Sequence, residues 1–312
     1  MPRFNPDTSA RSCHPAAARR RPARRMALAA GVLAAALPRL AAAVAVDAGD
    51  YAYVPPGTDL ALLYYQHSQG SALYAGGHKT SANADLRADV GIARGVRYLD
   101  VGGYTVAPQF LLPFGTVHTG GDLGGLGVSN GVGDLILATT VHLLKDDPGR
   151  RAFGITPWLW LPTGHYDRQR ALNPFGENRW KFALQAGGVL PLGDKFTLDL
   201  IGDMQWFGDN TKAGPGGATL SQRPAWEVQT HLRYHLSAAT SINLMASRYV
   251  GGETEIDGVR QHDRQRRTRA SLGMAHFFAP GWQVLGTVGR DLAVDTGVRE
   301  DARLNLRLMK VF

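Results

Sequence analysis

Cysteine is nearly absent from this 312-residue chain: Cys13 is the only one, and nothing after it can form a disulfide. Thiolate zinc sites, a catalytic cysteine and a lipid anchor, which needs its cysteine at the cleavage site, are excluded by the same count. Long hydrophobic runs are missing too. From residue 46 onward no segment of 18 apolar residues occurs, so a bundle of membrane helices is excluded. Convincing 3.6-residue periodicity is also lacking. Finally, the body of the chain has almost no net charge. The formal total is +8, but residues 1–45 hold eight arginines and one acid, Asp7, leaving 26 basic and 25 acidic residues beyond Ala45. The basic footprint of a nucleic-acid-binding surface is therefore not in the folded part.

The N-terminal segment has the layout of an export signal. Arg19, Arg20, Arg21, Arg24 and Arg25 precede an apolar run from Met26 to Leu37, and Ala43-Val44-Ala45 offers the small residues of a cleavage site. The run is too short to stay as a spanning helix, which takes about 20 apolar residues. Residues 1–45 are expected to be a cleaved signal peptide, with cleavage near Ala45, and residues 46–312 the mature protein.

In the mature part the dominant period is two. Trp226, Val228, Thr230, Leu232, Tyr234 and Leu236 alternate without a break with Glu227, Gln229, His231, Arg233 and His235. A soluble sandwich strand alternates in the same way, but usually over five or six residues, whereas a spanning barrel strand needs about 9 to 11. The pattern recurs around Phe196 to Trp206, Ile242 to Ala246, Ala270 to Phe278 and Leu304 to Phe312. Short turns alternate with long polar loops, at about 163–178, 209–223 and 251–266. The expected fold is all-β: an antiparallel up-and-down transmembrane β-barrel of about twelve strands, with both ends in the periplasm and apolar residues toward lipid. Pro108 and Pro113 interrupt the stretch from Val106 to Phe114, which is expected to be a bent strand or an inward loop.

Side chains follow from that parity. The lumen is expected to be lined by Asp199, Asp203, Gln205, Glu227, Gln229, His231, Arg233, Asn243, Arg269, Arg303 and Arg307. Such a lining fits either a polar constriction or a salt-bridged filling. Pro108, Phe110, Leu111, Leu112 and Phe114 are candidates for an apolar gate. Trp160, Trp180, Trp206 and Trp226 fall at outer strand ends and Trp282, beside Phe278, at an inner one, as aromatic girdles do. Lys310 is the one cation on the lipid side of the last strand, close enough to its end to snorkel.

Catalytic and metal signatures are missing. No Gly-x-Ser-x-Gly elbow, His-Glu-x-x-His or Walker loop occurs. His231 and His235 share a strand face about 13 Å apart, too far to chelate one ion. Asp257 and Asp263 are interleaved with Arg260, Arg264, Arg266 and Arg267, which favours neutralisation over calcium binding. No catalytic residue, metal or cofactor is expected; an outer-membrane lipid hydrolase is the enzymatic alternative and a purely structural barrel the other.

Three segments, PQFLLPFG at 108–115, PWLWLPTGHYD at 157–167 and NPFGENRWKF at 173–182, resemble the meta-pathway phenol-degradation family of outer-membrane proteins. The resemblance runs from AGDYAYVPPGT at 48–58 through to Phe312. It implies a barrel in the bacterial outer membrane that passes small hydrophobic or aromatic compounds. Phe312, closing an alternating strand, resembles the terminal signal read by the barrel assembly machinery. Expected partners are outer-membrane lipid, that machinery and the solute.

Overall fold

The computed structural model describes residues 46–145 and 151–312. The expected signal peptide lies outside the described residues. Twelve long strands carry the architecture: β1 (Asp59–Gly70), β2 (Ala84–Arg97), β3 (Tyr104–Gly121), β4 (Ile136–Lys145), β5 (Ala152–Trp160), β6 (Lys181–Leu192), β7 (Phe196–Phe207), β8 (Ala225–His235), β9 (Thr240–Gly251), β10 (Gln265–Ala279), β11 (Trp282–Val294) and β12 (Ala302–Val311). Each pairs antiparallel with its neighbours, and β1 pairs with β12, so the sheet closes on itself. Closure leaves no strand edge among the twelve, as lipid requires. Among the described residues the helical content is one 3-10 turn, Gly124–Leu126.

Alternation sets which face meets lipid. On β8, Trp226, Val228 and Leu232 are exposed on the outer wall, whereas Glu227, Gln229 and His231 are buried inside. Opposite them across the ladder, Asp203 pairs with Glu227 and Asp199 with His231, keeping polar groups on one side of both strands. The stretch with two prolines is a continuous strand. Pro113 sits where one edge of β3 changes partner, from β4 at residues 105–111 to Val128–Val132 at residues 114–118, so its missing N–H falls at a junction in the ladder.

On β2 the polarity reverses. Ala84, Leu86, Ala88 and Val90 point inward and bury against Val117, Leu123, Leu172, Phe175 and Val298, an apolar cluster inside the outer mouth. Leu172 and Phe175 come from the long connection between β5 and β6, which thus folds into the barrel. Two small sheets stand above the rim. One joins Ala72–Ala75, His78–Ser81 and Gly297–Arg299, and the other joins Asn210–Ala213, Ala218–Gln222, Thr254–Ile256 and Val259–Arg260.

Aromatic rings mark the wall's two margins. Trp180, Trp206, Trp226 and Trp282 are exposed on the lipid side, with Phe182 5.5 Å from Trp206 and Phe278 6.4 Å from Trp282 between ring centres. Trp160 departs from the expected girdle: it is 4% exposed, faces the lumen and stacks on Trp158 at 6.2 Å. Its parity is that of Thr156 and Trp158, the inward residues of β5. Lys310 leans over the Trp282 ring at 5.2 Å and reaches the Pro280 carbonyl.

Leu306 lies near the middle of β12 on the lipid face. Changing it to arginine should cost about 2 to 4 kcal/mol of barrel stability, the penalty for a cation at the bilayer midplane. Urea unfolding in lipid vesicles measures this, and a change under about 1 kcal/mol would place Leu306 at an interface instead.

Candidate functional site: the barrel lumen

The segment 46–58 precedes β1 and lies inside the barrel. Its side chains meet partners on strands that are distant in sequence. Asp47 accepts from Arg307 Nη1 at 2.8 Å, and Asp50 accepts from Arg94 Nη1 at 2.8 Å. The Gly49 amide donates to Asp199 Oδ2 at 2.8 Å, and Asp199 also pairs with Arg233 at 2.8 Å. Tyr51 is 3% exposed; its hydroxyl donates to Gln185 Oε1 at 3.0 Å and lies 2.8 Å from Thr156 Oγ1. With Val46 it packs on Ala152, Val189 and Ile201, in the periplasmic half of the barrel.

A recess in the wall accepts the Tyr51 ring. Gly154 and Gly187 are cross-strand partners on β5 and β6, and both face inward at the ring. A β-carbon added at Gly187 would overlap the ring itself. Glycine is therefore used here for close approach.

A second lock spans the outer half. Arg267 and Arg269 donate to Asp291 at 2.9 and 3.3 Å, and Arg269 and Arg303 donate to Glu300 at 3.0 and 2.6 Å. Burial alone would raise the Glu300 carboxyl, but Arg269, Arg303 and Arg267 outweigh it and hold it well below the usual glutamate range.

Between the two locks lies a cavity of about 90 Å³. One part of its lining is apolar, with Ile92, Leu111, Trp158 and Met245; another is polar, with His231, Asn243, Arg269 and Asn305. Both ring nitrogens of His231, Asn243 Nδ2, Trp158 Nε1 and Asn305 Oδ1 have no hydrogen-bond partner among the described residues. Buried polar groups in this condition favour an occupant that can hydrogen-bond. An apolar cavity of about 150 Å³ is known to admit benzene, and this one is smaller.

The structure distributes the sequence-derived residues as follows. Asp199, Asp203, Gln205, Glu227, Gln229, His231, Asn243 and Arg307 are buried on the lumen side, and Arg233, Arg269 and Arg303 share that side half-buried. Asp203 accepts from Gln205 and Gln185 rather than from a cation. The proposed gate needs correction. Pro108, Phe110, Leu112 and Phe114 have the same parity and face lipid; Phe110 and Phe114 lie across Gly95 and Gly91 of β2, filling the gaps those glycines leave. Leu111 alone of that set reaches the lumen. Sequence reasoning missed Asp47, Asp50, Tyr51, Arg94, Asp291 and Glu300. The signal that was present is the pair of acids beside a tyrosine directly ahead of the first strand.

Two tests follow from these locks. Glu300→Gln should leave Arg269 and Arg303 undercompensated and cost about 3 kcal/mol at neutral pH. Because the Glu300 carboxyl is held low, its contribution is complete above about pH 4.5 and is lost only as pH falls below that. Urea unfolding from pH 3 to pH 7 should therefore show wild type and variant converging only at the acidic end. Gly187→Val should expel Tyr51 while sparing the barrel. Hydrogen exchange should then rise across residues 46–57 with the heat-dependent gel shift of the barrel retained; unchanged exchange would refute the seat.

Comparison with known proteins agrees with this architecture. The family model described as MetA-pathway of phenol degradation matches residues 70–308. A crystal structure of an outer membrane channel from Pseudomonas putida F1 is 41% identical, with a TM-score of 0.84 over 86% of this chain and all of that one. More distant barrels include the transport unit of the autotransporter AIDA-I from Escherichia coli (10% identity, TM-score 0.47, 91% and 96% of the two chains) and a FadL homologue from Pseudomonas aeruginosa (9%, 0.43, 82% and 89%). No curated protein matches. A closed twelve-stranded barrel with an apolar outer wall, matched over most of its length by this family's model, is a bacterial outer-membrane protein, and the chain belongs to the MetA-pathway of phenol degradation family.

Proposed function

We propose that this barrel is a passive outer-membrane channel for small hydrophobic or aromatic compounds, and that the structure is its closed form. The observation that carries the reading is the cavity between the two locks, apolar along Ile92, Leu111 and Met245 and polar along His231, Asn243 and Asn305. A hydrophilic pore would be wet and polar all round; this lining instead suits an apolar body with a hydrogen-bonding substituent. The 41% identical relative is described as a channel, which supports the same reading.

Passage requires the segment 46–57 to leave its seat. No covalent chemistry is involved: the interior residues desolvate and orient the solute, and its gradient drives it. The chain is not an enzyme in this reading, and Phe312, at the open end of β12 and 71% exposed, is where assembly machinery would engage the last strand.

Deleting residues 46–57 from the mature chain should raise single-channel conductance in planar bilayers severalfold. It should also speed entry of a labelled phenol into cells that lack the native protein. If conductance and uptake both stay at the wild-type level, the barrel is a scaffold and the channel reading fails. Ester or lipid hydrolysis by the purified barrel, abolished at a single serine or histidine, would establish the enzymatic alternative.

A further inference from the structure

Eleven arginines lie on the twelve strands, and five face the lipid: Arg87, Arg97, Arg248, Arg266 and Arg290. Three of these have a carboxylate. Arg87 pairs with Asp85 at 3.1 Å, Arg97 with Asp59 at 3.7 Å and Arg266 with Asp295 at 3.6 Å. On the same wall as Arg87, Asp89 is held by Tyr65 at 2.6 Å and His67 at 2.8 Å, so outward charge on β1 and β2 is neutralised within the protein. Arg248 and Arg290 differ. Arg248 donates to the Thr268 hydroxyl, and Arg290 has no hydrogen bond or ion pair among the described residues. No acid faces lipid from β8 to β12.

The two are placed together. Arg248 lies three residues before the end of β9 and Arg290 four before the end of β11, both at the loop-bearing ends that belong to the outer leaflet. Only β10 separates them, and their partners on it are two residues apart, so the two backbones lie about 12 Å from each other at the usual strand spacing and rise. Thr268 lies between the two, paired with Arg248, and Ala270 is paired with Arg290. Below them the wall is apolar, with Val228, Leu244, Leu272 and Val288 all exposed to acyl chains.

The penalty on a lipid-facing arginine grows with its depth, and such groups ordinarily acquire a partner. Since no acid among the described residues meets either arginine, the partner comes from the membrane. Guanidinium groups bind phosphate through two parallel hydrogen bonds, and the apolar track beneath fits the chains attached to it. We infer that Arg248 and Arg290 form a binding site on the outer wall for the phosphorylated glycolipid of the outer leaflet, distinct from the solute path in the lumen. Thr268 contributes a hydroxyl to its floor.

The test uses the full mature chain in detergent, with native mass spectrometry to read retained lipid. Bisphosphorylated lipid A and the same lipid stripped of its phosphates are the probes. Wild type should retain lipid A, and the Arg248→Gln/Arg290→Gln protein should bind it about tenfold more weakly, the worth of one charge-assisted hydrogen bond. The dephosphorylated lipid should bind wild type no better than lipid A binds that variant. Arg87→Gln, which removes an outward arginine already paired, should behave as wild type. Arg248→Lys/Arg290→Lys, which keeps the charge without the fork, should be intermediate and guards against a folding defect in the glutamine pair. Equal retention by wild type and the glutamine pair, or indifference to the phosphates, overturns the site.

Discussion

Neutralising cations inside a narrow barrel is the constraint on which the remaining structure depends. Strands β2 and β12 each turn an arginine into the lumen, Arg94 and Arg307, and the acids that meet them, Asp50 and Asp47, come from the segment ahead of β1. The outer half is solved with a strand acid, Asp291, and a loop acid, Glu300, shared among three arginines. In a low-dielectric interior an unpaired guanidinium is costly, so the charges on the wall dictate that chain from outside the wall must enter. Entry of the segment 46–58 into the lumen is thus an electrostatic outcome as much as a steric one.

The wall was legible in the sequence because a strand reports its own orientation. Unbroken alternation along Trp226 to His235 places β8 without reference to any other strand, and the alternating stretches Phe196 to Trp206, Ile242 to Ala246 and Ala270 to Phe278 fall within β7, β9 and β10. The largest discrepancies have the same origin. Trp160 and the residues from Pro108 to Phe114 were judged by type, an interfacial tryptophan and an apolar cluster, where counting in twos from Thr156 and Gln109 gives the observed directions. The interior segment was not legible for a different reason. Asp47 and Arg307 are separated by 260 residues, and no local pattern encodes a pairing at that range.

The barrel also has two unlike sides. Around β1 to β3 the inward face is apolar where the loop residues Leu172 and Phe175 pack, and the outward face carries paired charges. Around β8 to β12 the inward face is polar and the outward face apolar, apart from its arginines. The cavity inherits an apolar and a polar lining from this asymmetry, so its character is a property of the whole cylinder and not of a few residues at a constriction.

The pairing of Asp47 with Arg307 has a consequence for the order in which the molecule is made. Asp47 waits for a partner on the last strand, so this anchor of the interior segment is made only when the C-terminal strand is in place beside β1. Contacts of such long range are slow to form. Completion of the cylinder and full anchoring of its own beginning are therefore coupled, and a nascent barrel that has not finished its seam lacks the Asp47 anchor.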